Sequence, residues 1–384
     1  MRAKLSELGA VITGNTPSKQ EPKYWASSDI PFIKPDVINQ DGITEVQTAN
    51  DYISEMARSK ARIAEKNVVL VTCIGTIGKI CLTGKECAFN QQINAIIPNE
   101  KVLPEYLAYC IYYNRPKLIE LANAPVVPII NKRQFEDFSV NIEESIERQG
   151  SIVTILKEVD RLIYYRQKQL QKLDDLVKAR FVELFGAYPH NPMGWKTGTI
   201  RDVVTDVRYG SSRPAVDGGK YPYLRMNNIT YGGELDLSDV KRIDVPENEL
   251  EKCTVRRGDV LFNRTNSKEL VGKTCVYDRD EMMVLAGFVI RVRVNDVVLP
   301  EFLSAFLNTD FSKRTLLGMC KAAIGQANIN AQEMQNIGIY IPPIELQREF
   351  VQFKNQTDKS KAAIQKALDE AQLLFDSLMQ KYFG

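Results

Sequence analysis

The sequence predicts an α+β protein in which two mixed α/β domains are separated by two long helices that pair as an antiparallel coiled coil, an internal pseudo-two-fold repeat. Three observations carry this. A helical element is written twice at a constant offset of 198 residues (344 − 146): Ile146-Glu147 matches Ile344-Glu345, Gln149 matches Gln347, Asp160 matches Asp358, and Phe185-Gly186 matches Phe383-Gly384. Upstream, Val102-Leu103-Pro104-Glu105-Tyr106-Leu107 is echoed by Val298-Leu299-Pro300-Glu301-Phe302-Leu303. Strand-like runs bounded by turn residues precede each copy, so each unit reads as a globular part followed by a helix.

The first helix is expected at 143–186. Its apolar seam, Ile152, Leu156, Val159, Ile163, Arg166, Leu170, Leu173, Val177, Arg180 and Leu184, alternates steps of four and three, a heptad a/d pattern. About 35 such residues make a rod of roughly 50 Å. The second helix, 344–384, places Phe350, Lys354, Thr357, Lys361, Ile364, Leu368, Ala371, Phe375, Leu378 and Tyr382 on the corresponding seam. A stripe this narrow wants one partner helix, and the other copy supplies it. Arg166 and Arg180 stand where apolar residues are expected; they either snorkel outward or pair with acids of the opposite helix.

Strands are expected at Ile30–Ile33, Val68–Cys73 and Ile93–Ile97 in the first globular part (1–142), and at Tyr221–Met226, Asp259–Asn263 and Val284–Val294 in the second (195–343). Helices should follow at Glu105–Ala122 and Glu301–Leu317, each opened by Leu-Pro-Glu. The proline- and glycine-rich segment 187–194 reads as the linker between the units.

Composition narrows the function. At 384 residues, 44% hydrophobic and 26% charged, the chain can bury two cores, which excludes disordered and fibrous classes. No stretch approaches the roughly 18 apolar residues of a membrane span, and MRAKLSELGAVITG lacks the apolar segment of a secretory signal. A cytoplasmic protein with no membrane contact is expected. Seven cysteines without a CxxC pair, beside a single histidine, read as reduced buried thiols and no metal site. Cys81 and Cys275 each lie two residues after a Gly-Lys, which suggests a shared packing role. The net charge of +2 does not identify a partner, because bases can be concentrated locally.

Marks of catalysis are missing. The only histidine, His190, lies in the linker. Gly272-Lys273-Thr274 resembles the end of a phosphate-binding loop, but Ser267 stands where the first glycine should be, and Cys73–Lys79 lacks both the spacing and the terminal hydroxyl. Both segments read as strand turns. No Asn/Asp-Pro-Pro-aromatic motif of an amino-methyltransferase is present, nor a glycine-rich S-adenosylmethionine loop.

The polar loops say more. Tyr209-Gly210-Ser211-Ser212-Arg213-Pro214, the run from Tyr221 through Arg225, Asn227 and Asn228, and the run from Gly258 through Arg264, Asn266, Ser267 and Lys268 alternate strand residues with Arg, Asn, Ser and Lys. Arginine reads guanine, asparagine reads adenine and small hydroxyls hold phosphates, so such loops suit major-groove recognition. The same residue types also build turns, and Arg225 could equally form a structural ion pair. The first unit carries counterparts around Thr16 and Ser18, Lys34, Thr72 and Lys79, and Asn90-Gln91-Gln92, with Thr72-Cys73-Ile74 replacing Asn263-Arg264-Thr265. A pure protein-interaction scaffold without DNA contact is the alternative from another class.

At these residues the chain resembles the specificity subunit of type I restriction-modification systems. The resemblance rests on the Gly-Asn-Thr-Pro-Ser and Tyr-Gly-Ser-Ser-Arg-Pro starts, Gly-Asp-Val-Leu-Phe-Asn-Arg-Thr-Asn-Ser with its following Val-Gly-Lys, and Asn-Gln-Gln-Ile. To these are added Ile344–Arg348 and Ile146–Gln149, which open helices ending in Phe-Gly. It implies two target-recognition domains that each read half of a split, asymmetric double-stranded DNA site, with the helices fixing the unread gap. It also implies two methyltransferase subunits and, in the full complex, restriction/translocase subunits as partners, with S-adenosylmethionine, magnesium and ATP on those partners and no cofactor on this chain. Arg225, Arg264 and Asn266 are expected to contact the second half-site, where loss of a base-reading side chain costs about 1 to 3 kcal/mol.

Overall fold

The computed structural model describes residues 1–122, 127–267, 270–320 and 327–384. Packing divides the chain into two units: Met1–Lys168 with Ile364–Gly384, and Gln169–Ala363. Each long helix therefore contributes one part to each unit.

Unit 1 is built on two sheets. A five-stranded sheet runs in the order Gly9–Thr13, Ile93–Pro98, Val69–Thr72, Ile80–Thr83, Ile43–Val46; a four-stranded sheet runs Asp51–Ile53, Ile30–Ile33, Cys87–Phe89, Ile63–Ala64. Unit 2 repeats the plan with Val204–Tyr209, Val289–Val294, Val260–Asn263, Thr274–Val276 in one sheet and Lys241–Ile243, Tyr221–Leu224, Met283–Leu285, Thr254–Val255 in the other. Both four-stranded sheets that hold the short strands contain one parallel pair at matching places, Ile30–Ile33 with Cys87–Phe89 and Tyr221–Leu224 with Met283–Leu285. The copied sequence thus encodes a copied topology. Cys81 and Cys275 occupy one position in it, fully buried opposite Leu70 and Leu261. All seven cysteines are buried.

Several expected runs are interrupted for local reasons. Val284–Val294 is two strands, Met283–Leu285 and Val289–Val294, because the chain turns through Gly287. Glu105–Ala122 becomes helices Pro104–Tyr113 and Arg115–Glu120, broken at Asn114, two residues before Pro116, whose ring and missing N–H disfavour a continuous helix through it. Glu301–Leu317 becomes Pro300–Leu307 and Asp310–Met319, where Thr309 caps the second helix by accepting the Ser312 N–H at 3.2 Å.

The long helices are Ile146–Phe185 and Ile344–Phe383, 40 residues each. The first starts at Ile146 and not at Glu143, because Ser145 Oγ accepts the Arg148 N–H at 3.3 Å. The seam positions are buried or half-buried along both helices, Ile152, Leu156, Val159, Phe350, Thr357 and Phe375 most fully; Ile163, Leu170, Leu173, Val177, Leu184, Ile364, Leu368 and Leu378 are half-buried. Within unit 2, Asp174 pairs with Lys361 at 2.8 Å, Arg180 with Glu349 at 2.5 Å, and the Phe181 and Phe185 rings meet Phe350 at 5.3 and 5.7 Å. Rising numbers on one helix meet falling numbers on the other, so the helices run antiparallel there. In unit 1, Leu156 and Val159 share a core with Phe375, Met379 and Phe383, which Tyr109 and Tyr106 reach from the Pro104–Tyr113 helix. Arg180 thus pairs with an acid of the opposite helix, and its guanidinium also lies 5.8 Å above the Phe353 ring.

Candidate nucleic-acid interface

Antiparallel pairing brings the same strand ends together in each unit. In unit 1, Thr13 pairs with Asn94 and Thr72 with Ile93; in unit 2, Tyr209 pairs with Ile290 and Asn263 with Val289. The second sheet joins at this end through Asn90 N–H to the Ile33 carbonyl at 3.1 Å, and Ala286 N–H to the Leu224 carbonyl at 2.8 Å. The loops leaving these ends are the polar segments that the sequence marks. Their first residues are held so closely that only glycine fits: a Cβ at Gly14 would lie 2.1 Å from the Asn90 carbonyl oxygen, and one at Gly210 2.1 Å from that of Leu285.

The hairpin turns are matched as well. Gly78 and Gly272 hold φ of +81° and +77°, their N–H groups bonding the Thr72 and Asn263 carbonyls at 2.9 and 2.8 Å. The lysines that follow are tethered alike: Lys79 Nζ donates to the Pro35 carbonyl and Lys273 Nζ to the Met226 carbonyl, both at 2.9 Å. Burial holds the Lys273 ammonium below the usual lysine range. Both Gly-Lys segments are strand turns, and the Lys79 ammonium is tied to main chain.

The candidates divide by what already holds them. Thr72 is fully buried, its hydroxyl donating to the Thr76 carbonyl at 2.5 Å and accepting the Lys79 N–H at 3.0 Å. Asn228 is buried too, its amide donating to the Asp236 and Asp239 carbonyls and its oxygen accepting the Arg225 N–H. In these two a polar side chain at a strand end or turn is bonded into the turn itself. Ser211 is likewise buried, with its Oγ accepting the Arg213 N–H at 3.2 Å.

Three cations carry acids as partners. Lys34 binds Asp51, whose hydrogen bond raises the lysine above its ordinary range. Arg213 pairs with both Glu249 oxygens at 3.1 and 2.8 Å, and Arg225 with Asp239 at 2.7 Å. Arg225 is therefore in the ion pair that stood as its structural alternative. Arg264 differs: its guanidinium lies 4.8 Å above the Tyr209 ring, and its Nη1 is 3.5 Å from the Gly287 carbonyl. Ser18, Ser212 and Asn227 are exposed. Thr16 donates to Gln91 Oε1 at 2.6 Å, and Asn266 Oδ1 accepts the Ser267 N–H at 2.8 Å. Lys268 lies outside the described residues.

Two residues at these strand ends are missing from the candidates read from sequence. Tyr209 is 42% exposed beneath Arg264, and Phe288 is 54% exposed, its carbonyl accepting the Arg264 N–H at 3.0 Å. The signal for Phe288 was Gly287 inside an apparently continuous strand, which marks a break. Among the described residues there is no group of three or more His, Cys, Asp or Glu side chains placed to hold a metal ion, and no helix long and apolar enough to cross a membrane.

Residues 1–174 and 192–372 match the family described as the type I restriction modification DNA specificity domain. The EcoKI specificity subunit of Escherichia coli strain K12 is 21% identical over 417 residues, spanning 99% of this chain and 88% of that protein. The HindI specificity subunit of Haemophilus influenzae is 40% identical over 104 residues, 27% of this chain and 22% of that one. Of solved structures, the S subunit of the type I restriction-modification system from M. genitalium shares the fold at a TM-score of 0.58 and 12% identity, covering 100% of this chain and 96% of its own. A chain from work on complex assembly of the type I system also reaches 0.58, at 17% identity, covering 100% and 97%. By these matches and its copied architecture, the chain belongs to the type I restriction-modification DNA specificity family.

Proposed function

We propose that this chain is the DNA-recognition subunit of a type I restriction-modification complex and that each unit reads one half of a bipartite, asymmetric target through the loops at its strand ends. The observation that carries this is a constant frame with divergent loops. Gly14 and Gly210, Lys79 and Lys273, and the hairpin turns at Gly78 and Gly272 repeat. The side chains around them do not: Cys73 and Gln92 in unit 1 stand where Arg264 and Phe288 stand in unit 2, making the same main-chain bond. Matched frames with different readout residues suit two different half-sites.

The role is recognition and not catalysis. In this reading the long helices set the unread gap and dock two methyltransferase subunits, and restriction/translocase subunits join the full complex. S-adenosylmethionine, magnesium and ATP belong to those partners, and the setting is the cytoplasm. The scaffold alternative has no finding in its favour. Duplex DNA binding by the full chain with its methyltransferase partner, measured from 50 to 200 mM salt, tests the reading. Affinity should fall steeply through release of counterions from phosphates, while binding absent at low salt contradicts DNA recognition.

A further inference from the structure

We propose that Arg264 is a guanine-reading side chain of unit 2, presented by Tyr209, and that Arg213 and Arg225 hold the loops in shape. This deepens the recognition reading above and rests on it.

Three adjacent strand ends converge here. Tyr209 ends Val204–Tyr209, Phe288 precedes Val289–Val294, and Arg264 follows Val260–Asn263. The Arg264 backbone is fixed on both sides, its N–H to the Phe288 carbonyl at 3.0 Å and its carbonyl accepting the Ile329 N–H at 2.9 Å. Its guanidinium lies 4.8 Å above the Tyr209 ring. The Tyr209 hydroxyl is itself held by the Ala331 N–H at 2.9 Å, so the ring is anchored at its far end. An anchored ring under a guanidinium fixes the plane of the fork and leaves its edge for an acceptor pair.

What singles out Arg264 is its missing acid. Arg213 and Arg225 direct their donors at Glu249 and Asp239, whereas no carboxylate among the described residues lies within ion-pair distance of Arg264. Among the described residues its one acceptor is the Gly287 carbonyl, 3.5 Å from Nη1, at the long limit of a hydrogen bond. Nε is buried without a partner among the described residues. A half-buried arginine with spare donors, held rigid beside an exposed Phe288, has the charge and geometry for the O6 and N7 acceptors of guanine in the major groove. Arg213 and Arg225 would first have to give up an ion pair. At the equivalent position unit 1 carries Cys73, buried and held by the same two main-chain bonds, to Gln92 and Ile130. Guanine reading through this position is thus confined to one half-site.

The test is selection from a randomised duplex pool by the full chain with its methyltransferase partner, comparing wild type, Arg264→Ala and Arg264→Lys. Wild type should enrich a bipartite motif. Both variants should lose preference for one guanine in one half, on the order of 10- to 100-fold, and leave the other half unchanged. Arg264→Lys keeps the charge without the bidentate fork, so its overall affinity for DNA should persist and its thermal unfolding should match wild type. The proposal is overturned if Arg264→Lys enriches the wild-type motif, whether Arg264→Ala loses nothing or only general affinity as a phosphate contact would. A wild-type chain that enriches no motif overturns the DNA-reading function itself, a separate and recognisable failure.

Discussion

The buried carboxamide of Gln149 closes the start of a neighbouring helix: its Oε1 accepts the Leu103 N–H at 2.8 Å, just before Pro104–Tyr113. Its Nε2 donates to the Lys101 and Glu143 carbonyls at 3.0 and 2.7 Å. Gln347 repeats the arrangement, accepting from Leu299 at 2.8 Å and donating to Val297 and Pro342 at 3.0 and 2.9 Å. One side chain near the start of each long helix thus supplies the cap that the short helix lacks and ties it to the globular part. Gln149→Leu leaves an N–H and two carbonyls unpaired in a buried site and should cost about 2 to 4 kcal/mol. Urea unfolding checks this, and Gln347→Leu should cost a similar amount.

Arg291 tests the sheet of unit 2. Its side chain is 2% exposed, and Nη2 donates to Asp206 Oδ2 at 2.7 Å. Asp206→Ala leaves a buried guanidinium without its counter-charge and should destabilise by about 3 to 5 kcal/mol. Burial opposes ionisation of Asp206, but the hydrogen bonds and charges of Arg291 and Arg208 outweigh it and hold its carboxyl below the usual range. A carboxyl depressed by folding stabilises above its unfolded pKa, and that contribution disappears as pH falls through the folded value. Stability measured from pH 5 downward should therefore show an acid limb that Asp206→Asn reduces.

The aromatic cluster of unit 2 joins both long helices to the globular part. Phe350 is fully buried, and Phe181 lies 5.3 Å from it and 5.6 Å from Phe302. Phe350→Ala should cost about 3 to 5 kcal/mol through lost burial and the cavity left behind. Thermal unfolding reads it, and a loss below about 1 kcal/mol would place the helix anchoring elsewhere.

Gly14→Ala puts a methyl group 2.1 Å from the Asn90 carbonyl oxygen and 2.6 Å from that of Phe89. Both obstacles are backbone, so the loop must move, at a cost of about 1 to 3 kcal/mol. DNA binding should weaken along with the stability of unit 1, and the amide signals of residues 14–19 should shift in NMR spectra.

The frame was more legible than the readout. A heptad step shows directly in sequence, and the strand Ile30–Ile33 was read to the residue because its apolar run is bounded by turn residues. The acids that neutralise Arg213, Arg225 and Lys34 lie 36, 14 and 17 residues away in sequence (249 − 213, 239 − 225, 51 − 34), and only folding brings them near. Thr72 and Asn228 stood among the candidates for DNA contact because hydroxyls and amides that satisfy a turn are the same types that meet a ligand. Asp160 and Asp358 match in sequence but act differently: Asp160 accepts the Tyr109 hydroxyl at 2.5 Å, with burial raising its pKa, while Asp358 pairs with Lys354 at 2.5 Å. A repeated letter need not be a repeated contact.

Recognition of two unlike half-sites by two like frames is settled by methylation-aware sequencing of cells expressing this chain with its methyltransferase partner. One bipartite motif with two different halves and an unread gap is predicted; lengthening both long helices by one heptad should change the gap alone. A single uninterrupted motif, or half-sites that change while the gap stays fixed, would contradict it.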